Sequence, residues 1–262
     1  MTGEGIVIRR VETQAEYEEC VRIQDETWGA GFSERVPSAI LKVSQYLGGV
    51  TAAAFDGDGD DARILGFVFG MTGIRDGQLV HWSDMLAVRP EARDHGIGRR
   101  LKLYQRSLVA ELGVTQILWT FDPLVSRNAH LNLNALGARV TDYVPDMYGA
   151  DTGSTLHQGI GTDRFVVAWD VSGAEEPALS HRAKGQRGSG AERTGAARSG
   201  TEVVVEIPQD IQQLIVGDPA AARKWRESTR PVFLRLLSDG YRVAGFERSP
   251  AGGFYRLTLD SD

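Results

Sequence analysis

The sequence predicts an α/β chain organised around one glycine-punctuated turn, with a smaller α/β region near the C-terminal end. Three observations predict it. Apolar runs of strand length alternate with stretches of helical spacing up to about residue 170. Residues 84–103 read as a strand (Met85 to Val88), a stop at Pro90, a turn Arg93-Asp94-His95-Gly96-Ile97-Gly98 and then a helix. Between Gly173 and Gly200 the composition turns to Gly, Ala, Ser, Arg and Glu, after which folded patterning resumes. The expected organisation is a domain over 1–172, a flexible linker over 173–200 and a C-terminal region over 201–262.

Composition narrows the function. The 262 residues are 42% hydrophobic and 24% charged, which describes a globular protein. A formal net charge of −6 argues against a nucleic-acid binder held by bulk electrostatics. No apolar run approaches the roughly 18 residues that a membrane span needs. The start, MTGEGIVIRR, has no apolar signal core, so a cytoplasmic protein without membrane attachment is expected. The single cysteine, Cys20, excludes an internal disulfide, and its helical setting predicts a buried structural thiol. No clustered His/Cys set suggests a metal.

The elements follow in order. Residues 5–10 read as an edge strand. Thr13 and Glu16 form a capping box for a helix presenting Tyr17, Cys20, Val21, Ile23 and Gln24 towards Trp28. Residues 37–46 are a second helix, closed by Gly48-Gly49. Two strands, 50–55 and 64–71, flank the acidic stretch DGDGDDAR. An EF-hand count from Asp56 puts Asp61 where Gly is needed and Phe67 where Glu is needed, so this is a hairpin turn. Gly70, Gly73 and Gly77 mark a reversal into the strand 78–88. After the central turn, Ile97, Leu101, Tyr104, Leu108 and Leu112 share a helical face that ends at Gly113. A strand (115–121), a short helix from about Ser126 to Leu136 with a stop at Gly137, and strands at 138–143 and 163–170 complete the first part. Residues 203–207, 220–237, 241–247 and 254–259 read as strand, helix and hairpin, with Trp225, Phe233, Leu236 and Leu237 as core candidates. Pro231 predicts a kink or break in that helix. About sixty residues make a marginal core, so this region is expected to dock on the first domain or, as a homodimer, on a second copy of the chain.

The central turn carries the chemistry. Glycines at 96 and 98 permit positive φ and close approach of a ligand. The helix after them aims unpaired N–H groups and its positive dipole end at the same spot. Arg93, Arg99 and Arg100 add fixed positive charge. The spacing lacks the GxxxxGK[ST] of a P-loop, so no Lys or Mg-binding hydroxyl is in place for a nucleotide triphosphate, and it lacks the GxGxxG of a dinucleotide fold. The pattern V-x-P-x-x-R-x-x-G-x-G entering a Leu-rich helix resembles the pyrophosphate loop of the GNAT superfamily of acyl-CoA N-acyltransferases, over residues 5 to about 170. The stretch FDPL…SRNAHLN…LGA is similar to a bacterial GNAT subgroup, some members of which are encoded beside N-succinylamino acid racemases.

The resemblance implies a GNAT fold, with a mixed central sheet splayed around the R-x-x-G-x-G loop, and transfer of an acetyl or other small acyl group from acyl-CoA to a primary amine of a small metabolite such as an amino acid, without a metal. It implies that Met85, Leu86, Ala87 and Val88 bind pantetheine through their backbone. Arg93, Asp94, His95, Gly96, Ile97, Gly98 and Arg99 would then take the diphosphate. Many members carry N-x-x-A-x-x-x-Y-x-x-x-G after the fifth strand, with the Tyr protonating the thiolate. Here Ser126 stands at the Asn position and Leu133 at the Tyr position, with Asn128 offset by two. Asp84, His130, Tyr143 and Tyr148 are therefore the candidates for proton transfer, with water as an alternative donor to the thiolate. His81 and His95 read as surface histidines, and Tyr148 and His157 sit in a long loop that could meet the acceptor. Two alternatives stand beside acetyl transfer: succinyl-CoA-dependent amino-acid N-succinylation, and a silent acyl-CoA-binding module.

Overall fold

The computed structural model describes residues 5–59, 62–171, 197–199 and 202–259. They form two compact units: 1–119 with 152–155 and 169–173, and 120–151 with 156–168 and 174–262. Most of the expected linker lies outside the described residues, although 197–199 are strand.

Unit 1 runs β1 (Ile6–Arg10), α1 (Gln14–Trp28), α2 (Ser38–Tyr46), β2 (Val50–Asp56), β3 (Ile64–Arg75), β4 (Gln78–Val88), a 3-10 turn (Pro90–Ala92), α3 (Ile97–Ala110) and the first part of β5 (Gln116–Phe121). The strands neighbour in the order β1-β2-β3-β4-β5, antiparallel up to β4 and parallel between β4 and β5. This is the mixed α/β sheet expected. α1 starts at the expected capping box, both hydrogen bonds being present between Thr13 and Glu16. Its apolar side, Tyr17, Cys20 and Ile23, packs in one core with Phe55, Phe67, Phe69 and Met85. Cys20 is fully buried and burial raises its thiol pKa, as suits a structural thiol.

Two details differ from the sequence reading. The β3–β4 reversal needs only Asp76 and Gly77, with φ of 51° and 74°, the two-residue hairpin geometry. Gly70 and Gly73 lie inside β3. A Cβ at Gly70 would overlap His81 Nε2, so this glycine lets a buried imidazole lie against the strand. The buried face of α3 is Ile97, Leu101, Lys102, Gln105 and Val109, while Leu112 is 46% exposed. Lys102 turns inward because Nζ donates to Ser83 Oγ (2.7 Å) and lies 3.8 Å from the Trp119 ring centroid. Polar partners, not hydropathy, set that face.

Unit 2 contains the end of β5, α4 (Ser126–Ala129) continuing as a π-helical turn (His130–Ala135), β6 (Arg139–Val144), most of β7 (Arg164–Asp170), β8 (Ala197–Ser199), β9 (Glu202–Ile207), α5 (Ile211–Gly217), α6 (Pro219–Ser238), β10 (Tyr241–Ser249) and β11 (Gly252–Leu259). β6 pairs with β7, and a second antiparallel sheet has the order β10-β11-β9-β8. Phe165 meets Tyr143, Phe233 and Tyr255 at centroid distances of 5.6, 4.9 and 5.5 Å. The C-terminal residues thus share one aromatic core with β6 and β7. α5 was not foreseen; Asp210 caps it through the N–H groups of Gln212 and Gln213. α6 runs through Pro231 without a break, its buried Thr229, Phe233 and Leu236 anchoring the helix on either side.

The end of β4 is pinned by an ion cluster. Arg89, 6% exposed, donates to Glu19 (2.6 Å), Glu26 (3.0 Å) and the Ile64 carbonyl (3.1 Å). Removing the cation would leave Glu26 without its partner, while Glu19 keeps Arg22. Arg89→Ala is expected to destabilise the chain by about 2 kcal/mol, below the cost for a fully buried pair because Glu26 is partly in water. Urea unfolding with an unchanged midpoint would contradict it.

Candidate functional site

The site grows out of β4. Opposite β3, Met85 pairs with Phe69 and Ser83 with Gly70, so Asp84 is the extra residue of a β-bulge. Bulges re-aim a side chain, and this one leaves Asp84 exposed. On the other edge, β4 pairs with β5 only from Val80 to Trp82, against Gln116 to Leu118. Within unit 1 the described residues of β4 and β5 pair no further than Trp82. The backbone of residues 83–88 then has a ladder edge open to an added extended chain.

That edge runs straight into the turn. Asp94 and Gly96 have φ of 64° and 72°, and α3 starts after Gly96 with no side-chain cap. A left-handed glycine directly before an uncapped helix start opens its first N–H groups to an anion. A Cβ added at Gly96 would meet nothing within 4 Å, so the space above the turn is open. Arg93 Nε donates to the Val88 carbonyl (3.0 Å), holding a guanidinium where strand and turn meet. His95 is exposed, with Nδ1 2.7 Å from the Arg93 carbonyl. Arg100 departs from expectation: its Nη2 donates to the Ile6 carbonyl (2.8 Å) and secures β1. The turn can hold an anion such as a diphosphate.

Asp84 is electrostatically distinct. Desolvation raises its carboxyl pKa above the ordinary 3.8, with nearby Glu34 adding to the rise and the Trp82 Nε1–H bond (3.2 Å) opposing it. The result is a solvent-reachable carboxylate of increased basicity at the foot of the open edge.

His81 is a correction to the sequence reading. It is fully buried, with Nδ1 2.9 Å from Thr72 Oγ1 and Nε2 3.0 Å from Gln105 Nε2. Burial and then Lys102 push its pKa down to about 3.

The remaining candidates belong to unit 2. Tyr143 is also a correction: it is 3% exposed in the aromatic core, its hydroxyl donates to Asp163, and burial raises its pKa. That side chain is structural. Ser126 is buried and Asn128 half-buried in the first turn of α4. His130 is exposed, 3.1 Å from Asn134 Nδ2, with its pKa lowered by burial and Arg248. Tyr148 is half-buried, its hydroxyl 3.0 Å from Thr120 Oγ1. His157 is buried, and burial with Arg164 lowers its pKa to about 4. Among the described residues no cluster of acidic, His or Cys side chains could hold a metal, and no helix is long and apolar enough to cross a membrane.

No family model matches the chain, and no curated protein matches it. Solved structures do resemble it. A chain of the NatC complex bound to Gag peptide and CoA has a TM-score of 0.49 at 18% identity, covering 63% of this chain and 98% of its own. The ribosomal-protein-S18-alanine N-acetyltransferase from Escherichia coli has 0.48 at 15%, covering 66% and 98%. An aminoglycoside 6'-acetyltransferase type Ii has 0.48 at 15%, covering 64% and 99%.

The buried His81 makes a pH prediction. Its folded pKa lies below the ordinary 6.5, so the unfolded chain binds the extra proton and stability is lost as pH falls from about 6.5 towards about 3. At about pH 4 this residue alone is expected to cost roughly 3 kcal/mol relative to neutral pH. Histidine NMR should find no His81 titration between about pH 5 and pH 8. A midpoint in that range would contradict the buried assignment.

Proposed function

We propose that the chain is a GNAT-type N-acyltransferase that moves an acetyl or other small acyl group from acyl-CoA to the primary amine of a small metabolite such as an amino acid. The observation that carries this reading is the continuity of the open β4 edge with the uncapped, glycine-bearing turn. An extended pantetheine arm pairs with the backbone of Met85 to Val88, while the diphosphate rests on the N–H groups from Gly96 onward beside Arg93 and Arg99. A bound acyl-CoA supplies an activated carbonyl on a thiol leaving group.

The chain's own groups do the rest. A β4 N–H facing the thioester oxygen stabilises the charge that grows there in the transition state. Asp84 accepts a proton from the incoming ammonium, and its raised pKa suits that task. The negative field of Asp84 and Glu34 favours a cationic acceptor. The free amine attacks the carbonyl carbon, the C–S bond breaks, and the second amine proton leaves to water. The departing thiolate takes its proton from water, since Leu133 stands where a tyrosine donor would be. Succinyl transfer to amino acids is the finer version of the same reading, motivated by the FDPL…SRNAHLN…LGA stretch.

The test is CoA release from acetyl-CoA and succinyl-CoA across a panel of amino acids and polyamines. Amine-dependent release is expected, abolished by Gly96→Glu, which puts bulk and negative charge into the turn. Asp84→Asn should lower kcat/KM by about a hundredfold while acyl-CoA still binds. Acyl-CoA binding with no release for any amine would replace the enzyme by a silent binding module. Full activity of Gly96→Glu would remove the turn from the site.

A further inference from the structure

In unit 1 the large apolar side chains left in water are gathered on three segments. Among the described residues they are Ile40, Val43, Tyr46 and Leu47 on α2, Met71 and Ile74 on β3, and Leu112 just past α3. Lone exposed apolar residues are ordinary on a protein surface, but a gathered set marks a surface that something covers.

α2 is the centre of the set. At about 100° per residue, Leu41 and Ser44 fall on its buried side, while Ile40, Val43, Tyr46 and Leu47 share an arc of about 120° on the other. Tyr46 is 80% exposed and Leu47 72%. The helix therefore turns more apolar side chain to water than to its own core. A helix that is apolar on both sides is one that packs on both sides.

The patch continues off the helix. Ser44 Oγ donates to the Gly70 carbonyl (2.8 Å) and Thr72 Oγ1 to the Gly48 carbonyl (2.7 Å), which sets Met71 beside the end of α2. A Cβ at Gly48 would lie 3.3 Å from Leu112 Cδ1, so Leu112 rests against the turn that follows Leu47.

We propose that this face is a homodimer interface, covered by the same face of a second copy of the chain. The area suits it. At these exposures α2, Met71 and Leu112 together offer roughly 700 Å², within the about 600–1,000 Å² per partner that stable interfaces bury. The arc carries no charge, so nothing in it repels its own copy. Its margins carry both signs, exposed Lys42 beside Val43 and exposed Glu111 beside Leu112, so a two-fold contact can set opposite charges against each other. The interface is distinct from the C-terminal region that the sequence suggests for a second copy, and it stands whether or not the chain transfers acyl groups.

Sedimentation velocity and light scattering on the full chain test it. At micromolar concentration the expected mass is twice that of one chain. Leu47→Glu and Tyr46→Lys, both at exposed positions, should each weaken dimerisation by about a hundredfold, because the two-fold brings each new charge near its own copy. Val216→Glu, exposed on unit 2, should leave the dimer intact, and circular dichroism should be unchanged in all three variants. A monomer throughout, including one that binds phosphatidylcholine vesicles instead, would overturn the proposal. So would a dimer that persists in both α2 variants, or one that Val216→Glu breaks as readily.

Discussion

A strand can keep two hydrogen-bonded neighbours only while all three run together, and β4 loses one of them halfway. β3 follows it to Val88, but within unit 1 β5 pairs with it no further than Trp82. The features of the candidate site in unit 1 depend on that parting. It exposes the backbone edge of residues 83–88, lets the bulge aim Asp84 outward, and brings the open edge to the start of the uncapped helix. The structure supports the parting from behind. Arg89 ties the strand's exit to α1, and Arg93 closes on Val88. The working surface is therefore mostly backbone, held by side chains that point away from it.

This explains which parts could be read from the sequence. Pro90, Gly96 and Gly98 announce the turn, and the capping box at Thr13 and Glu16 announces α1, because local backbone needs have local signatures. The strand 78–88 was legible to the residue. The bulge at Asp84 was not, since it exists only in the pairing with β3. Nor could the parting of β4 from β5 be read, since it arises between segments far apart in sequence.

The misreadings share a cause. His81, Lys102 and Gln105 are polar and were placed by type on the surface or left out of the core. Inside unit 1 they meet partners that only the fold supplies: Thr72, Ser83 and the ring of Trp119. The same holds in unit 2, where Asp122, Asp163, Arg226 and Arg230 form an ion cluster that hydropathy patterning passes over. Tyr143 was chosen for its hydroxyl, and that hydroxyl is taken by Asp163. A break was expected at Pro231 from the missing N–H, and buried side chains on both sides of it outweigh that loss.

Lys102 has one more consequence. Its amine is fully buried with a hydroxyl and an indole face as company and no carboxylate, and desolvation holds its pKa well below the ordinary lysine range. On unfolding the amine regains water, and its pKa returns to the ordinary lysine range. At pH values between the folded and the unfolded pKa, thermal unfolding therefore takes up a proton, and its calorimetric enthalpy depends there on the ionisation heat of the buffer.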